Sequence, residues 1–328
     1  MTDELTVRAR YFELMNMNGA AHVYRQARAS GMLAALLEGP MTASELARQC
    51  EIRERPTRLM LAALDAMGVV AGVDESFSLT ALARMLIGGG YRALGDEYWA
   101  HLPTLLESDK PLQRMDDVGE SESHYRSQAA ALAWMLAPAA EAAATALGFG
   151  ATTAEKSILD LGAGSAVWSL TMARRDESST VTAVDWPAVL AVATSTAERF
   201  GLADRLTTLP GNFHQVELPA AAFDLAILGN VTHLESREGN LDVMKRARTS
   251  LRTGGRIVIF DVFPGQSKGD LNRTLYALGL ALRTESGTVY APEELEALLA
   301  EAGFAAAELV DLPVPPFAVG MMVAEASG

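Results

Sequence analysis

Apolar positions recur at helical spacing up to about residue 150 and then give way to short β-rich runs. Leu59, Leu61, Leu64 and Met67 keep a three-to-four-residue rhythm. Pro56 suits the first turn of their helix, where its missing N–H would be unpaired anyway, and Gly68 ends it. Thr42-Ala43-Ser44-Glu45 has capping-box spacing, which predicts a helix running to about Cys50. Val69-Val70-Ala71, a turn over Gly72 to Ser76, and Phe77-Ser78-Leu79 predict a two-stranded wing. Helix, helix, wing is the winged-helix pattern. From Tyr91 to Phe149 the chain reads as helical, with a polar, loop-like interruption from Ser108 to Ser123. Ala129 to Leu147 is dense in Ala, Leu and Met, with Trp134 and Met135 at its centre, and predicts a buried or interface helix.

Beyond Gly150, predicted strands at Ser157–Leu161, Thr180–Val184, Arg205–Leu209, Phe223–Leu228 and Arg256–Val262 alternate with helical segments. Such alternation implies a parallel sheet covered on both faces. Two more strands are expected near Ala307–Asp311 and Phe317–Ala324, separated by Pro313, Pro315 and Pro316. The fold class is therefore α/β: a Rossmann-like domain with a seven-stranded, mostly parallel sheet, preceded by a mostly helical winged-helix domain. The expected division is residues 1–100 for the winged helix, 101–150 for connecting helices and 151–328 for the Rossmann-like domain.

Composition narrows the function. A chain of 328 residues exceeds what one core usually organises. Apolar runs such as Ala129 to Leu136 fall short of a membrane span, and Met1 to Arg10 lacks a secretory pattern, so a cytoplasmic, membrane-free protein is expected. A single cysteine, Cys50, excludes an intramolecular disulfide and a cysteine-built metal site. The histidines His101, His124 and His214 have no metal-ligand spacing, and no metal is expected. His214 is expected to be exposed, and His101 is a candidate for the pocket wall. A formal charge of −14 repels phosphate backbones. Arg53, Arg55 and Arg58 lie where a recognition helix would begin, yet the rest of that helix is Leu, Met and Ala, so contact with a second subunit fits better than DNA. A small molecule is the expected partner.

Three strand ends carry candidate chemistry. Ile158-Leu159-Asp160-Leu161-Gly162-Ala163-Gly164 runs from a buried strand into a glycine turn and a helix beginning near Val167. The turn lets a ligand approach backbone, and the helix start offers unpaired amides. A dinucleotide fingerprint would need glycine at Val167, so NAD loses support. Asp185, ending the next strand, can accept both hydroxyls of a ribose. Trp186 could lie on an adenine face or simply pack between sheet and helix. Gly211-Asn212-Phe213 follows the third strand, where Asn212 can address a purine edge and Phe213 cover its ring.

These motifs resemble those of the S-adenosylmethionine (SAM)-dependent O-methyltransferase family that includes plant caffeic acid and bacterial polyketide or antibiotic O-methyltransferases. The resemblance runs from about Ala27 to Ala324. Asp160, Gly162 and Gly164 match its first motif, Asp185 its ribose acid, and Gly211, Asn212 and Phe213 its adenine motif. Ala27–Leu37, Leu59–Val70 and Leu79–Leu86 resemble its winged-helix dimerisation region, and Tyr98-Trp99-Ala100-His101-Leu102 the helix before its substrate pocket. The family implies a homodimer whose amino-terminal helices help close the partner's active site.

His233, in Asn230-Val231-Thr232-His233 after the fourth strand, matches the family's catalytic base, and imidazole titrates near neutral pH. The competing reading is a hydrogen-bonded structural histidine. Asn230 is assigned to the cofactor site. Asp261, ending the fifth strand, matches the carboxylate that orients the base; the alternative is a solvated strand-end aspartate. Trp99, Trp134 and Met135 are candidate substrate-pocket residues, or core. The chain departs from the pattern at Leu234, where an acid usually follows the histidine; at Gly229, where plant members carry lysine; and at Val289, where a second pocket carboxylate is expected. Tyr290 or Glu285 are the candidate substitutes. O-methylation of a small aromatic or polyketide-like secondary metabolite is the expected reaction. Two alternatives remain open. One is a same-fold SAM enzyme performing C- or N-methylation, decarboxylation, hydroxylation or cyclisation; the other is a winged-helix regulator that senses a nucleoside.

Overall fold

The computed structural model describes residues 4–88, 95–151, 156–264, 270–312, 314 and 319–327. Tyr91, Pro313, Pro315, Pro316, Phe317 and the first three residues lie outside the described residues. The chain divides into two compact units, Met1–Glu97 and Tyr98–Gly328.

The first unit contains α1 (Glu4–Ala29), α2 (Met32–Ala35), β1 (Met41–Thr42), α3 (Ala43–Gln49), α4 (Glu54–Ala66), β2 (Val70–Val73), β3 (Ser76–Leu79) and α5 (Ala81–Gly88). The capping box forms as the sequence predicts: the Glu45 amide donates to the Thr42 hydroxyl at 3.2 Å, and the Thr42 amide donates to the Glu45 carboxylate at 2.8 Å. The wing is a β2–β3 hairpin turning at Asp74 and Glu75, both left-handed (φ 48° and 69°), a mirror-type turn that matches strand twist. β1 adds a third antiparallel strand beside β3, which the sequence reading did not anticipate because it is two residues long. Leu46, Leu61, Leu64, Val69 and Val70 fill the core of this unit.

At the boundary lies α6 (Asp96–Ala100). The second unit continues with α7 (Leu102–Ser108), α8 (Val118–Ala146), β4 (Ser157–Leu161), α9 (Val167–Ala173), β5 (Thr180–Asp185), α10 (Pro187–Phe200), β6 (Leu206–Pro210) and β7 (Phe223–Gly229). It closes with α11 (Arg237–Ser250), β8 (Leu251–Val262), α12 (Leu271–Ala281), α13 (Pro292–Glu301), β9 (Glu308–Asp311) and β10 (Val319–Glu325). Its sheet has the order β6-β5-β4-β7-β8-β10-β9. The first five strands are parallel, and β10 runs antiparallel between β8 and β9.

Alternation along the strands sends side chains to two cores. Ile158, Ala183, Ile227 and Phe260 face the layer that holds α8, α9 and α10. Leu159, Leu161, Ala226, Leu228 and Ile259 face the layer that holds α11 and α13. Residues 98–150 fold with this sheet rather than apart from it.

The polar stretch expected to be a loop is half helix, since α8 begins at Val118 with Asp117 as its cap. Pro138 falls inside α8 on its exposed side, where the freed carbonyl can reach water. Within α8, Gln128–Ala146 has the length and apolarity of a membrane span. Here Ala133, Leu136, Ala139, Ala140, Ala143 and Ala144 are buried in the core against α9 and the sheet, which accounts for that composition.

Candidate active site

The carboxyl ends of β4, β5, β6 and β7 converge on one cavity of about 370 Å³. This is where open parallel sheets bind ligands. Its wall includes Gly162, Gly164, Asp185, Trp186, Asn212, Phe213 and Asn230, so seven of the nine expected cofactor residues meet there. Asp160 and Gly211 are outside the wall. Gly211 takes a φ of 143° and donates its amide to the Asp185 carbonyl at 2.9 Å, which sets the turn that carries Asn212.

The glycine turn is sterically required. Gly162 has φ 70°, and a Cβ there would stand 2.6 Å from Val231 Cγ2. Gly164 donates its amide to Asp185 Oδ2 at 2.7 Å, and the Trp186 amide donates to Asp185 Oδ1 at 2.7 Å. Burial pushes the Asp185 carboxyl up, only partly offset by those two amides. Asp160 is 1% exposed, receives the Ser169 hydroxyl at 2.5 Å, and is pushed up to about 7 by burial. Its position behind the turn makes it a support for the β4–α9 junction.

Asn212 uses its side-chain oxygen to accept the His214 amide at 2.8 Å. His214 is half-buried in the cavity wall, correcting the expectation of an exposed side chain. Its two nitrogens approach Glu235 at 3.0 Å and Asp242 at 2.7 Å, and the hydrogen bond to Glu235 leads the effects that raise its affinity for a proton. His101 instead reaches the Lys110 carbonyl at 3.0 Å and is not in the cavity wall.

On a short 3-10 turn after β7, His233 is 7% exposed, and its Nδ1 lies 2.7 Å from Asp261 Oδ1 at the end of β8. Asp261 is fully enclosed, not a solvated strand end. Burial alone would raise its carboxyl. His233 and its hydrogen bond, the Thr232 hydroxyl and the Val262 amide more than compensate, holding it below the usual range. An ionised Asp261 fixes the proton of the neutral ring on Nδ1 and leaves the Nε2 lone pair available. Tyr276, on α12, places its hydroxyl 3.2 Å from that Nε2.

One departure from the family pattern, Gly229, has a physical reason. A Cβ at Gly229 would stand 2.5 Å from Trp168 Cδ1, and Trp168 is stacked on Phe260 at 4.0 Å, so no lysine fits there. Tyr290 donates its hydroxyl to the Glu235 carbonyl at 2.8 Å, and Glu285 pairs with Arg114 at 2.8 Å. Neither replaces a pocket carboxylate beside the imidazole. The phenol that touches His233 is Tyr276, which the sequence reading missed because nothing local marks it.

The rest of the cavity wall includes Met115, Tyr125, Leu132 and Leu136 on the apolar side, together with Trp168 and Leu234. Leu132 and Leu136 lie one helical turn apart on α8. Trp134 and Met135 point elsewhere: neither is in the wall, and Trp134 is 62% exposed. Trp99 is half-buried on α6 and also absent from the wall. Two buried polar atoms near the glycine turn, Asn230 Oδ1 and Trp168 Nε1, have no hydrogen-bond partner among the described residues. One accepts and one donates, which suits the two ends of an amino-acid zwitterion such as the tail of SAM. Among the described residues, no group of three or more His, Cys, Asp or Glu side chains is placed to hold a metal ion.

Comparison with known proteins places this geometry in a family. The chain is 29% identical over 295 residues to acetylserotonin O-methyltransferase of Mus musculus, covering 81% of this chain and 76% of that one. It is 28% identical over 153 residues to L-tyrosine C(3)-methyltransferase of Streptomyces lavendulae, a match that spans 45% of this chain and only 40% of the relative. The crystal structure of human N-acetylserotonin methyltransferase in complex with SAM shares the fold, with a TM-score of 0.74 at 17% identity over the full length of both chains. A family model described as the O-methyltransferase domain matches residues 123–305, which include every strand end that builds the cavity. The chain accordingly belongs to the O-methyltransferase domain family and is a SAM-dependent methyltransferase.

Proposed function

We propose that the protein methylates a hydroxyl group on a small aromatic or polyketide-like metabolite, with His233 as general base and Asp261 as its positioning residue. The observation that carries this reading is the buried His233–Asp261 pair, 2.7 Å apart, on the sheet edge that forms the cofactor cavity. SAM supplies an electrophilic methyl group: the acceptor oxygen takes that carbon, the carbon–sulfur bond breaks, and the electron pair leaves with sulfur. Asp185 would receive the ribose hydroxyls, Asn212 and Phe213 the adenine, and Gly162, Gly164 and Asn230 the amino-acid end. His233 Nε2 removes the acceptor proton, while Asp261 stabilises the imidazolium that results.

The apolar wall of Met115, Leu132 and Leu136 suits an aromatic acceptor, in keeping with the aromatic substrates named for the relatives. A homodimer belongs to the same reading, with Trp134, 62% exposed on α8, as surface that a second copy of the chain can cover. Residence in the cytoplasm is part of the same proposal. The Streptomyces lavendulae relative is named for methylation at carbon, which keeps C-methylation as a second reading.

Phenolic acceptors incubated with SAM should gain one methyl group, and tandem mass spectrometry should locate it on oxygen. His233→Ala should retain SAM binding by calorimetry while losing roughly 100-fold or more in turnover. A methyl found on ring carbon would replace the O-methyl reading with the second one. Native turnover in the variant would remove His233 from the chemistry.

A further inference from the structure

Arg283 follows α12 and stands in an aromatic frame. Its guanidinium carbon lies 5.9 Å from the Tyr98 ring centre and 6.0 Å from that of Tyr276. Tyr276 is the residue whose hydroxyl touches His233, so a single tyrosine ring separates the guanidinium from the catalytic imidazole. Its charge also bears on Tyr125, which lines the cavity, and on neighbouring His124. Arg283, Tyr276 and His233 are not in the wall of the cavity that Asp185 and Glu235 line, and the guanidinium is linked to the site through Tyr276 and the imidazole it touches.

Its bonding is incomplete. Arg283 is half-buried, and among the described residues the hydrogen bonding of its side chain is confined to Nε donating to the Gly279 carbonyl at 2.8 Å. No carboxylate among the described residues pairs with it, although the chain carries 41 acidic side chains and nearby Arg114 is paired with Glu285 at 2.8 Å. Asp116, on the adjoining loop, is occupied by the Glu285 and Ser286 amides and the Ser286 hydroxyl. Four guanidinium N–H groups thus have no acceptor among the described residues, and their planar fork matches a carboxylate in two-point contact.

We propose that Arg283 receives the acid group of the methyl acceptor, so that the substrate is an aromatic hydroxy acid rather than a neutral phenol. This rests on the methyl-transfer reading. One end of the acceptor is fixed by the fork, and the hydroxyl at the other end displaces the Tyr276 hydroxyl from His233 Nε2. Tyr276 then acts as a positioning residue that holds the imidazole in place while the acceptor is absent. Flat aromatic rims on Tyr98 and Tyr276 exclude water around the pair and strengthen it.

The test uses the full chain loaded with S-adenosylhomocysteine and two matched probes, 3-hydroxy-2-naphthoate and its methyl ester, titrated by calorimetry. The acid should bind at least about 10-fold more tightly than the ester, since a charge-assisted two-point contact is lost in the ester. Arg283→Gln should abolish that difference without altering S-adenosylhomocysteine affinity, and Arg283→Lys should preserve part of it. If Arg283→Gln fails to fold, judged by lost S-adenosylhomocysteine binding, the lysine variant decides: an acid preference equal to the native one or entirely absent sinks the proposal. The proposal is also overturned if the native protein binds the acid no better than the ester, including binding neither, or if Arg283→Gln weakens both equally. Arg283-dependent binding of the acid without its methylation would leave this site standing and remove the O-methyltransferase reading instead.

Discussion

Two buried aspartates of the site are held in opposite protonation tendencies, and the difference has a measurable consequence. Asp261 is kept ionised by its partners, whereas Asp160, with only the hydroxyl and backbone of Ser169 to stabilise a charge, is pushed up to about 7 by burial. An acid whose folded pKa exceeds its unfolded one binds its proton more tightly when folded. Its contribution to stability is full below the unfolded value near 4 and declines as pH rises through 7. Asp160→Asn keeps the Ser169 bond and removes the charge. The stability of this variant relative to the native protein should therefore rise by about 2 kcal/mol between pH 5 and pH 8, measured without cofactor by urea denaturation. A constant difference across that range would show that Asp160 titrates as an ordinary surface acid. At this scale the sequence exposes the residues that stand in contiguous motifs: Asp185 ends a strand, Asn212 and His233 follow one, and each announces itself. Tyr276 and Arg283 lie on and just after an ordinary-looking amphipathic helix, and only tertiary packing brings Tyr276 beside the imidazole and Arg283 beside Tyr276.

At the scale of elements, the close approach of α9 to β7 explains why the site tolerates so little change at Gly229. Trp168 is buried, stacked parallel to Phe260 with an interplanar angle of 2°, and lies directly over Gly229. Gly229→Ala would force its methyl group into an indole that has nowhere to go, which should cost about 1–3 kcal/mol as overpacking and displace Asn230 from the cofactor side. The variant should melt lower than native and bind SAM more weakly, both read by thermal shift with and without SAM; an unchanged melting temperature would mean that the β7–α9 contact is loose. The central strands were legible to within a residue or so because each is a buried apolar run ending in a polar motif. β8 begins five residues earlier than expected, because Thr253-Gly254-Gly255 reads as a turn, whereas the structure carries the strand through it, with a register irregularity opposite Phe223 and Leu225. The insertion of β10 between β8 and β9 is a matter of topology, and no local pattern encodes it.

For the molecule as a whole, α1 poses the outstanding structural demand. It has 26 residues, of which only Tyr24 and Ala27 are buried, both in its last two turns. Leu5, Val7, Tyr11, Phe12, Leu14, Met15 and Met17 are 40–70% exposed. At about 100° per residue these side chains spread over more than half of the helix circumference, too broad for a helix that packs on one surface only. A helix of this kind gains little from its own hydrogen bonds in water, and an exposed apolar surface of this extent marks an interaction site. A chain of charge −14 offers no attraction to nucleic acid, and exposed Arg58 is already paired with Glu54, so a second copy of the same chain is the fitting cover. The protein should run in light scattering as a particle of two chains, each 34.9 kDa. Replacing Phe12 and Leu14 together with Asp should shift it to single chains, by weakening association roughly 10-fold or more, since buried aromatic anchors carry most of the energy of such interfaces. Because the cofactor cavity is built entirely from the second unit, SAM affinity should survive that change, whereas turnover should fall if the partner completes the acceptor side. A native protein that stays single-chain at tens of micromolar would leave α1 without its proposed cover and require a different partner for that face.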